Sequence, residues 1–312
     1  MLVNHQFEHF EENPDGVTVH FRRFEGAAEA QDRFGKKQAT GKEALGPYTG
    51  SILIGADGIR SAVRQQLYPE DKAKYTGWNI YRGVVDLPEG YLSGRMMGLQ
   101  GTGNVVFTHY PIDEAAAKEG RMMLNWGITQ FVGGEGDPGE ENWSTPAPHS
   151  EVDPIMAGWS FADGYFKNGA LTPAEVVRRT KKVSKFAAFD RDPVKRWSFG
   201  HVTLLGDAAH PLLPFGSQGA GQSILDAAAL GEACKEHGDP VAALSKYDAV
   251  RCEPAGKVVL QNRQMGPTKV LRVVDEARQQ GRWPTEQEIT AVIKGYHGLT
   301  GVKTDKGATS KL

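Results

Sequence analysis

The clearest pattern near the start of the chain has a period of two. Val17, Val19 and Phe21 alternate with Thr18, His20 and Arg22, which predicts a strand with one buried face. Asn13-Pro14-Asp15-Gly16 supplies turn chemistry before it, so Val3–Glu11 and Val17–Phe24 are expected to form a hairpin. Residues 25–50 are polar and dotted with glycine, and predict a loop that includes part of a third strand. Ser51–Gly55 is a short apolar strand, turned by Asp57-Gly58 and followed by an amphipathic helix over Ser61–Leu67. Arg60 and Arg64, four residues apart, are expected to project from one face of that helix.

Three β-rich runs follow, Trp78–Val85, Asn104–Tyr110 and Met122–Phe131, each short, aromatic-rich and flanked by glycine or acidic turns. Residues 150–182 predict helix, with a capping box at Thr172-Pro173-Ala174-Glu175. Val202–Leu205 is an apolar run bounded by glycine and predicts a buried strand. A helical pattern resumes at about Gln222, and Ile224–Cys234 is rich in Ala and Gly. Val241–Met265 is a longer helix in which Pro254 predicts a kink. Thr285 and Glu288 cap a late helix, and residues 301–312 form a polar tail.

Composition narrows the classes. A chain of 312 residues with 39% hydrophobic and 24% charged residues and a net charge of −2 can bury a large core. Nothing in that balance suggests a nucleic-acid surface or a disordered protein. The two cysteines, Cys234 and Cys252, lie in helical patterns without metal-ligand spacing. No apolar run approaches the roughly 18 residues of a membrane span, and MLVNHQFEHFEEN lacks the regions of a signal peptide. The expectation is a cytoplasmic protein with no integral membrane contact.

The candidate chemistry sits between His201 and Asp226. Gly206-Asp207 places a carboxylate at the tip of the Val202–Leu205 strand, and Ala208 and Ala209 leave room for close approach to the backbone. Pro211 and Pro214 stiffen the loop, and Gly216, Gly219, Ala220 and Gly221 lead into a helix. The unpaired N–H groups of such a helix start favour an anion or a polarised carbonyl. The string Gly206-Asp207-Ala208-Ala209-His210 with Pro214, Gly216, Gly219 and Asp226 resembles the second flavin-binding motif, the GD motif, of the FAD-dependent aromatic hydroxylases. The resemblance implies that Asp207 hydrogen-bonds the ribityl chain of FAD and that the helix start faces the pyrimidine end of the flavin. Upstream, Asp57, Gly58, Ser61 and Arg64 match the family's DG motif, D-G-x-x-S-x-x-R. That match implies a place beside the FAD pyrophosphate and a link to use of the nicotinamide donor. Tyr247, Arg251 and Pro254 fit the family's pattern after the GD motif, and His210 is read as structural.

The same resemblance makes the 78–132 runs an antiparallel substrate sheet. Tyr81, Tyr110 and Trp126, with Pro214, are the substrate candidates, and His109 and Asn125 join the pocket list. Alternation lets only about half of such a list point one way. Gly134-Glu135-Gly136-Asp137-Pro138-Gly139 satisfies G-x-G-x-x-G, but no helical pattern follows it, its carboxylates would repel a pyrophosphate and its proline lacks an N–H. It reads as a surface loop.

The expected fold is mixed α/β: a partial Rossmann-like FAD-binding lobe with an inserted antiparallel-sheet substrate lobe and C-terminal helices. Residues 1–77 and 190–266 form the flavin lobe, 78–189 the substrate lobe, and 267–312 the C-terminal helices and tail. Family members open with a strand–GxGxxG–helix unit, and no stretch before Ser51 supplies one. The expectation is therefore an N-terminally shortened hydroxylase that binds FAD poorly. The implied activity is hydroxylation of a small aromatic or heteroaromatic substrate by NAD(P)H and O2 through a flavin hydroperoxide. A non-catalytic remnant of such an enzyme and another flavin oxidoreductase of the same fold stay open. No protein nucleophile or metal is required, and no catalytic side chain is assigned.

Overall fold

The computed structural model describes residues 2–23, 43–88, 97–134, 138, 145–160 and 171–301. The polar tail beyond residue 301 and most of the Gly134–Gly139 loop lie outside the described residues.

Strands β1 (His5–Asn13) and β2 (Gly16–Arg23) form the expected hairpin, and β3 (Ala44–Gly50) adds to β2 in a three-stranded antiparallel sheet. The turn closes where Asp15 N–H donates to Asn13 Oδ1 at 3.1 Å. Gly16 has no room for a side chain, since a Cβ there would lie 2.2 Å from the Gly50 carbonyl oxygen. The short strand β4 (Leu53–Gly55) leads to helix α1 (Ala62–Leu67), whose N-cap Ser61 accepts from Arg64 N–H at 2.8 Å. Arg60 precedes the cap, so Arg60 and Arg64 do not share the helix face that their spacing predicted.

Strand β5 (Lys74–Pro88) is much longer than its apolar run suggested. With β6 (Gly98–Gly101), β7 (Val105–Pro111), β8 (Arg121–Phe131), β9 (Thr145–Pro146) and β10 (Val183–Asp190) it forms a six-stranded sheet of order β6-β7-β8-β5-β10-β9. The pairs β5–β8 and β7–β8 are antiparallel and in continuous register, with Tyr81 opposite Ile128 and Tyr110 opposite Asn125. Helix α2 (Glu114–Lys118) fills the β7–β8 connection. Among the described residues the 150–182 region holds two short helices rather than one continuous stretch, α3 (His149–Met156) and α4 (Pro173–Arg178). The Thr172–Glu175 capping box is formed at the start of α4.

Strand β11 (Val202–Leu204) returns to pair in parallel with β4, Thr203 opposite Ile54. The two motif-bearing strands therefore share one sheet, as the flavin-lobe reading requires. Helix α5 (Gly219–Glu236) begins three residues before the periodic pattern, because Gly219-Ala220-Gly221 carry no apolar signal of their own. Helix α6 (Pro240–Arg263) runs through Pro254 without a break. Buried Tyr247, Cys252, Ala255, Val258 and Val259 hold it on both sides of the proline, and that packing offsets the one lost backbone bond. Helices α7 (Val270–Gln279) and α8 (Glu286–Thr300) close the chain, α8 with its own capping box.

The chain divides into two compact units. Among the described residues, one comprises those within 2–74 and 189–301 and the other those within 75–188. The first has its core where β2, β4 and β11 meet α5 and α6, around Val17, Val19, Val63, Trp197, Val202, Leu204, Leu244 and Tyr247. The second packs one sheet face, from Tyr81, Val85, Leu87, Phe107, Leu124, Trp126 and Ile128, against Val152 and Met156 of α3 and Val176 and Val177 of α4. Among the described residues no helix is long and apolar enough to cross a membrane.

Leu204 is completely buried in the two-stranded sheet, whereas Ile54 on its partner strand is 39% exposed. Leu204→Ala should lower the unfolding free energy by about 2–5 kcal/mol, the usual cost of a buried leucine truncation. Ile54→Ala should cost clearly less. Urea denaturation of both variants reads this, and similar losses would contradict the packing described.

Candidate functional site

The loop between β11 and α5 is a built structure rather than a connection. Gly206 adopts φ +62°, which only glycine does without strain. Its carbonyl accepts from Ala209 N–H at 2.8 Å and His210 N–H at 2.9 Å, curling residues 206–208 into a 3-10 turn. Ala208 and Ala209 point into the core and Asp207 outward. The surrounding loop still crowds Asp207, and that desolvation raises its carboxyl above the usual range against the lowering pull of His210.

Beneath the loop lies a buried polar network centred on Asp226, which is 0% exposed. Asp226 Oδ2 accepts from Gly206 N–H at 3.1 Å and His210 Nε2 at 2.5 Å, and Oδ1 accepts from Arg251 Nε at 2.8 Å. Arg251 also donates to Gln222 Oε1 at 2.8 Å, and Gln222 Nε2 donates to the Thr300 carbonyl at 2.8 Å. His210 thus has the structural role its sequence position suggested. Burial alone would raise the Asp226 pKa, but His210 and Arg251 overcome it and the carboxyl is held below its usual value.

Helix α5 opens toward the same loop. No side chain caps it: Gln218 at the N-cap spends its amide on the Gly216 carbonyl at 3.1 Å, and the first helical hydrogen bond is Gln222 N–H to Gln218 O at 2.8 Å. The N–H groups of Gly219, Ala220 and Gly221 are left as donors at the positive end of an 18-residue helix. Gly216, at φ +81°, lies so close to Tyr296 and Pro267 that a Cβ would meet them at 2.5 and 2.8 Å. Pro214 is exposed beside it.

The first motif behaves differently from its sequence reading. Asp57 Oδ2 accepts from Ala62 N–H at 2.7 Å, while Oδ1 is buried and, among the described residues, has no hydrogen-bond partner. Gly58 has φ +82° and open space where a Cβ would stand. Arg64 is 0% exposed and does not present its charge to a ligand. Its guanidinium donates to Asp71 at 2.7 Å, to the carbonyls of Ala208 at 3.1 Å and Ala209 at 2.7 Å, and to the Asp192 carbonyl at 2.9 Å. Arg191 grips Asp71 from the other side at 2.7 Å and donates to the Ile59 carbonyl at 2.6 Å. Arg64 is therefore a clasp between α1 and the second motif's loop. Sequence reasoning passed over Asp71 and Arg191; the Asp190-Arg191-Asp192-Pro193 run just before β11 was the available signal.

The substrate candidates separate by strand alternation. Tyr81, His109 and Trp126 face the α3–α4 side and are buried. Tyr81 Oη donates to Glu151 at 2.9 Å and Trp126 Nε1 to Thr180 at 2.8 Å, so both are occupied in the core. Burial lowers the His109 pKa to about 4, keeping the ring neutral near pH 7. Tyr110 and Asn125 pair across β7 and β8 on the opposite face, in one row with Val84, and Tyr110 is 38% exposed.

A sequence profile described as an FAD binding domain matches residues 169–263, the stretch that carries the second motif and its two helices. The chain is 32% identical over 257 residues to 3-hydroxybenzoate 6-hydroxylase 2 of Aquipseudomonas alcaligenes, covering 78% of this chain and 72% of that protein. The chain belongs to the FAD-dependent aromatic hydroxylases. Phenazine 1,6-dicarboxylic acid hydroxylase PhzS of Lysobacter antibioticus is 33% identical over 257 residues, 81% of this chain and 57% of the relative's length. A salicylate hydroxylase substrate complex shares the fold at TM-score 0.60 and 23% identity, covering 97% of this chain and 71% of that one. Klebsiella pneumoniae HpxO, solved with FAD and uric acid, does so at TM-score 0.61 and 21% identity, over 96% of this chain and 63% of the other. The chain thus spans between about half and three quarters of the curated relatives' lengths. For this family's cofactor the second motif is a fitting cradle: an outward carboxylate for sugar hydroxyls beside an uncapped helix start.

Removing Arg64 while leaving its acceptors enclosed should be costly. Arg64→Met is expected to destabilise the protein by about 3–5 kcal/mol, the range for breaking a buried ion pair on one side. The urea midpoint measures it, and a loss below about 1 kcal/mol would show that the clasp is not formed.

The Asp226 network carries an acid-side signature. A carboxyl whose folded pKa lies below its unfolded value of about 3.9 stabilises the fold above that pH, and the contribution disappears as pH falls through the lowered folded value. Asp226→Asn should therefore flatten stability against pH below about pH 4. Denaturant midpoints between about pH 6 and pH 3 would show parallel curves for parent and variant if the carboxylate were not charged in the fold.

Proposed function

We propose that the chain carries the flavin and substrate elements of a monooxygenase that hydroxylates a small aromatic or heteroaromatic compound with NAD(P)H and O2. The observation that carries this reading is Asp207, held at the tip of β11 beside the uncapped start of α5 by the Gly206–Asp226–His210–Arg251 network. Hydride acceptance and O2 activation would be chemistry supplied by bound FAD, and the chain's own residues bind and orient. Asp207 would accept from the ribityl hydroxyls. The N–H groups of Gly219, Ala220 and Gly221 would stabilise negative charge on the pyrimidine side, with Gly206, Ala208, Pro214 and Gly216 shaping the contact. Asp57 and Gly58 would stand toward the pyrophosphate side, and Arg64 would act through the loop it clasps. Tyr110 and Asn125, on the sheet face turned away from α3 and α4, are the substrate-contact candidates. Support for an aromatic substrate comes from the relatives, whose names specify a phenazine dicarboxylic acid and 3-hydroxybenzoate.

The test is reconstitution with FAD followed by NADH and NADPH oxidation across a panel of aromatic acids, reading O2 uptake and hydroxylated product. Asp207→Ala should weaken FAD binding by roughly 10- to 150-fold, the equivalent of about 1.5–3 kcal/mol for a charge-assisted hydrogen bond. Glu135→Ala, in the glycine-rich loop outside the described residues, should leave it within about twofold. Equal losses in both variants would overturn the assignment of Asp207.

A further inference from the structure

The β1–β2 hairpin carries a cluster that the hydroxylase reading does not use. His9 and Glu11, two residues apart on β1, share a strand face, and His20 on β2 is the direct cross-strand partner of His9. This face is the reverse of the one that sends Phe10, Val17 and Val19 into the core. The imidazoles of His9 and His20 stack at 4.2 Å between centroids with an interplanar angle of 4°. His9 Nε2 lies 3.6 Å from Glu11 Oε1. One ligand atom from each of the three residues lies within 4.8 Å of the others.

Two features separate this cluster from a chance surface grouping. Among the described residues, the buried polar atom His20 Nε2 has no hydrogen-bond partner, and buried polar atoms are nearly always satisfied. The backbone is also shaped at these positions. The β1–β2 register shifts between Phe7 and His9, and the β2–β3 register shifts between Val19 and Phe21, on either side of His20. Irregularities of this kind re-aim side chains. Glu8, the extra residue of the first shift, is taken up by Arg22 and does not compete for the cluster.

We propose that His9, Glu11 and His20 bind one divalent transition-metal ion of the zinc type, clamping β1 to β2 on the hairpin's outer face. Two imidazole nitrogens and one carboxylate oxygen are the donor set that zinc accepts, with water completing a tetrahedron. Donors around such an ion stand about 3.3 Å apart, given metal–ligand bonds of about 2.0–2.2 Å. Closing from 4.8 Å needs rotation of the side chains, which also unstacks the two imidazoles so that their lone pairs converge. The hard ions Mg2+ and Ca2+ prefer all-oxygen sets and fit poorly.

The test uses the untagged 312-residue chain, stripped with chelator and titrated calorimetrically with ZnCl2. One saturable Zn2+ per chain is expected, unaffected by excess MgCl2, together with a zinc-dependent rise in the thermal midpoint because the ion binds the folded hairpin. His9→Gln and His20→Gln should each weaken binding by at least about tenfold and abolish the midpoint shift. His297→Gln, an exposed histidine on α8, should change neither. Far-UV circular dichroism of the metal-free variants confirms folding, and if His20→Gln does not fold, His9→Gln, on the more open ring, decides. Undiminished binding in His9→Gln, or an equal loss in His297→Gln, would overturn the site.

Discussion

The enclosed carboxylate of Asp226 is the constraint on which the flavin unit depends. A charge removed from water must be met by donors on every side, and here the donors reach Asp226 of α5 from two other segments. Gly206 and His210 lie on the loop, Arg251 on α6, and Gln222 on α5 links the network onward to the end of α8. Satisfying one carboxylate therefore fixes the path of the loop, the depth of α5 and the packing of α6 together. Asp207 gains its outward orientation as a result, since the turn that brings Gly206 N–H to Asp226 leaves the next side chain pointing away.

Arg64 applies the same logic from the other motif. Its guanidinium satisfies the carbonyls of Ala208 and Ala209, which point away from the loop's exposed face and would otherwise be buried acceptors. With five N–H groups on a planar fork, this arginine serves three carbonyls and a carboxylate at once, one acceptor more than the three N–H groups of a lysine could meet. The two motif strings are thus mechanically one piece: α1 braces the loop whose tip carries Asp207. Arg64 has no exposed surface and acts on the loop entirely from within the fold.

The parts of the structure legible in the sequence were those encoded locally. The turn residues at 13–16, the apolar runs at 53–55 and 202–204, and both Thr–Glu capping boxes predicted elements that formed. The failures were non-local or boundary effects. The i,i+4 spacing of Arg60 and Arg64 implies a shared helix face only if Ser61 is helical, and Ser61 is instead the cap. Glycines 219 and 221 hid the start of α5, since a residue without a side chain leaves no period to read. Asp71 and Arg191 meet Arg64 across long sequence separations, and no spacing rule joins them.

The six-stranded sheet shows why local reading can name the right residues and still leave their direction open. A period of two divides any strand into two sets, and the choice between them depends on what covers each face. Here α3 and α4 claim one face, so Tyr81 and Trp126 become core, while Tyr110 and Asn125 remain on the other. The β1–β2 hairpin obeys the same rule. The commitment of Val17, Val19 and Phe10 to the core left His9, Glu11 and His20 together on the reverse side. Hairpin folding alone assembles that cluster, because one strand contributes two residues at spacing two and its partner supplies the third across the ladder. Donor sets of this kind are invisible to any search for closely spaced ligands along the chain.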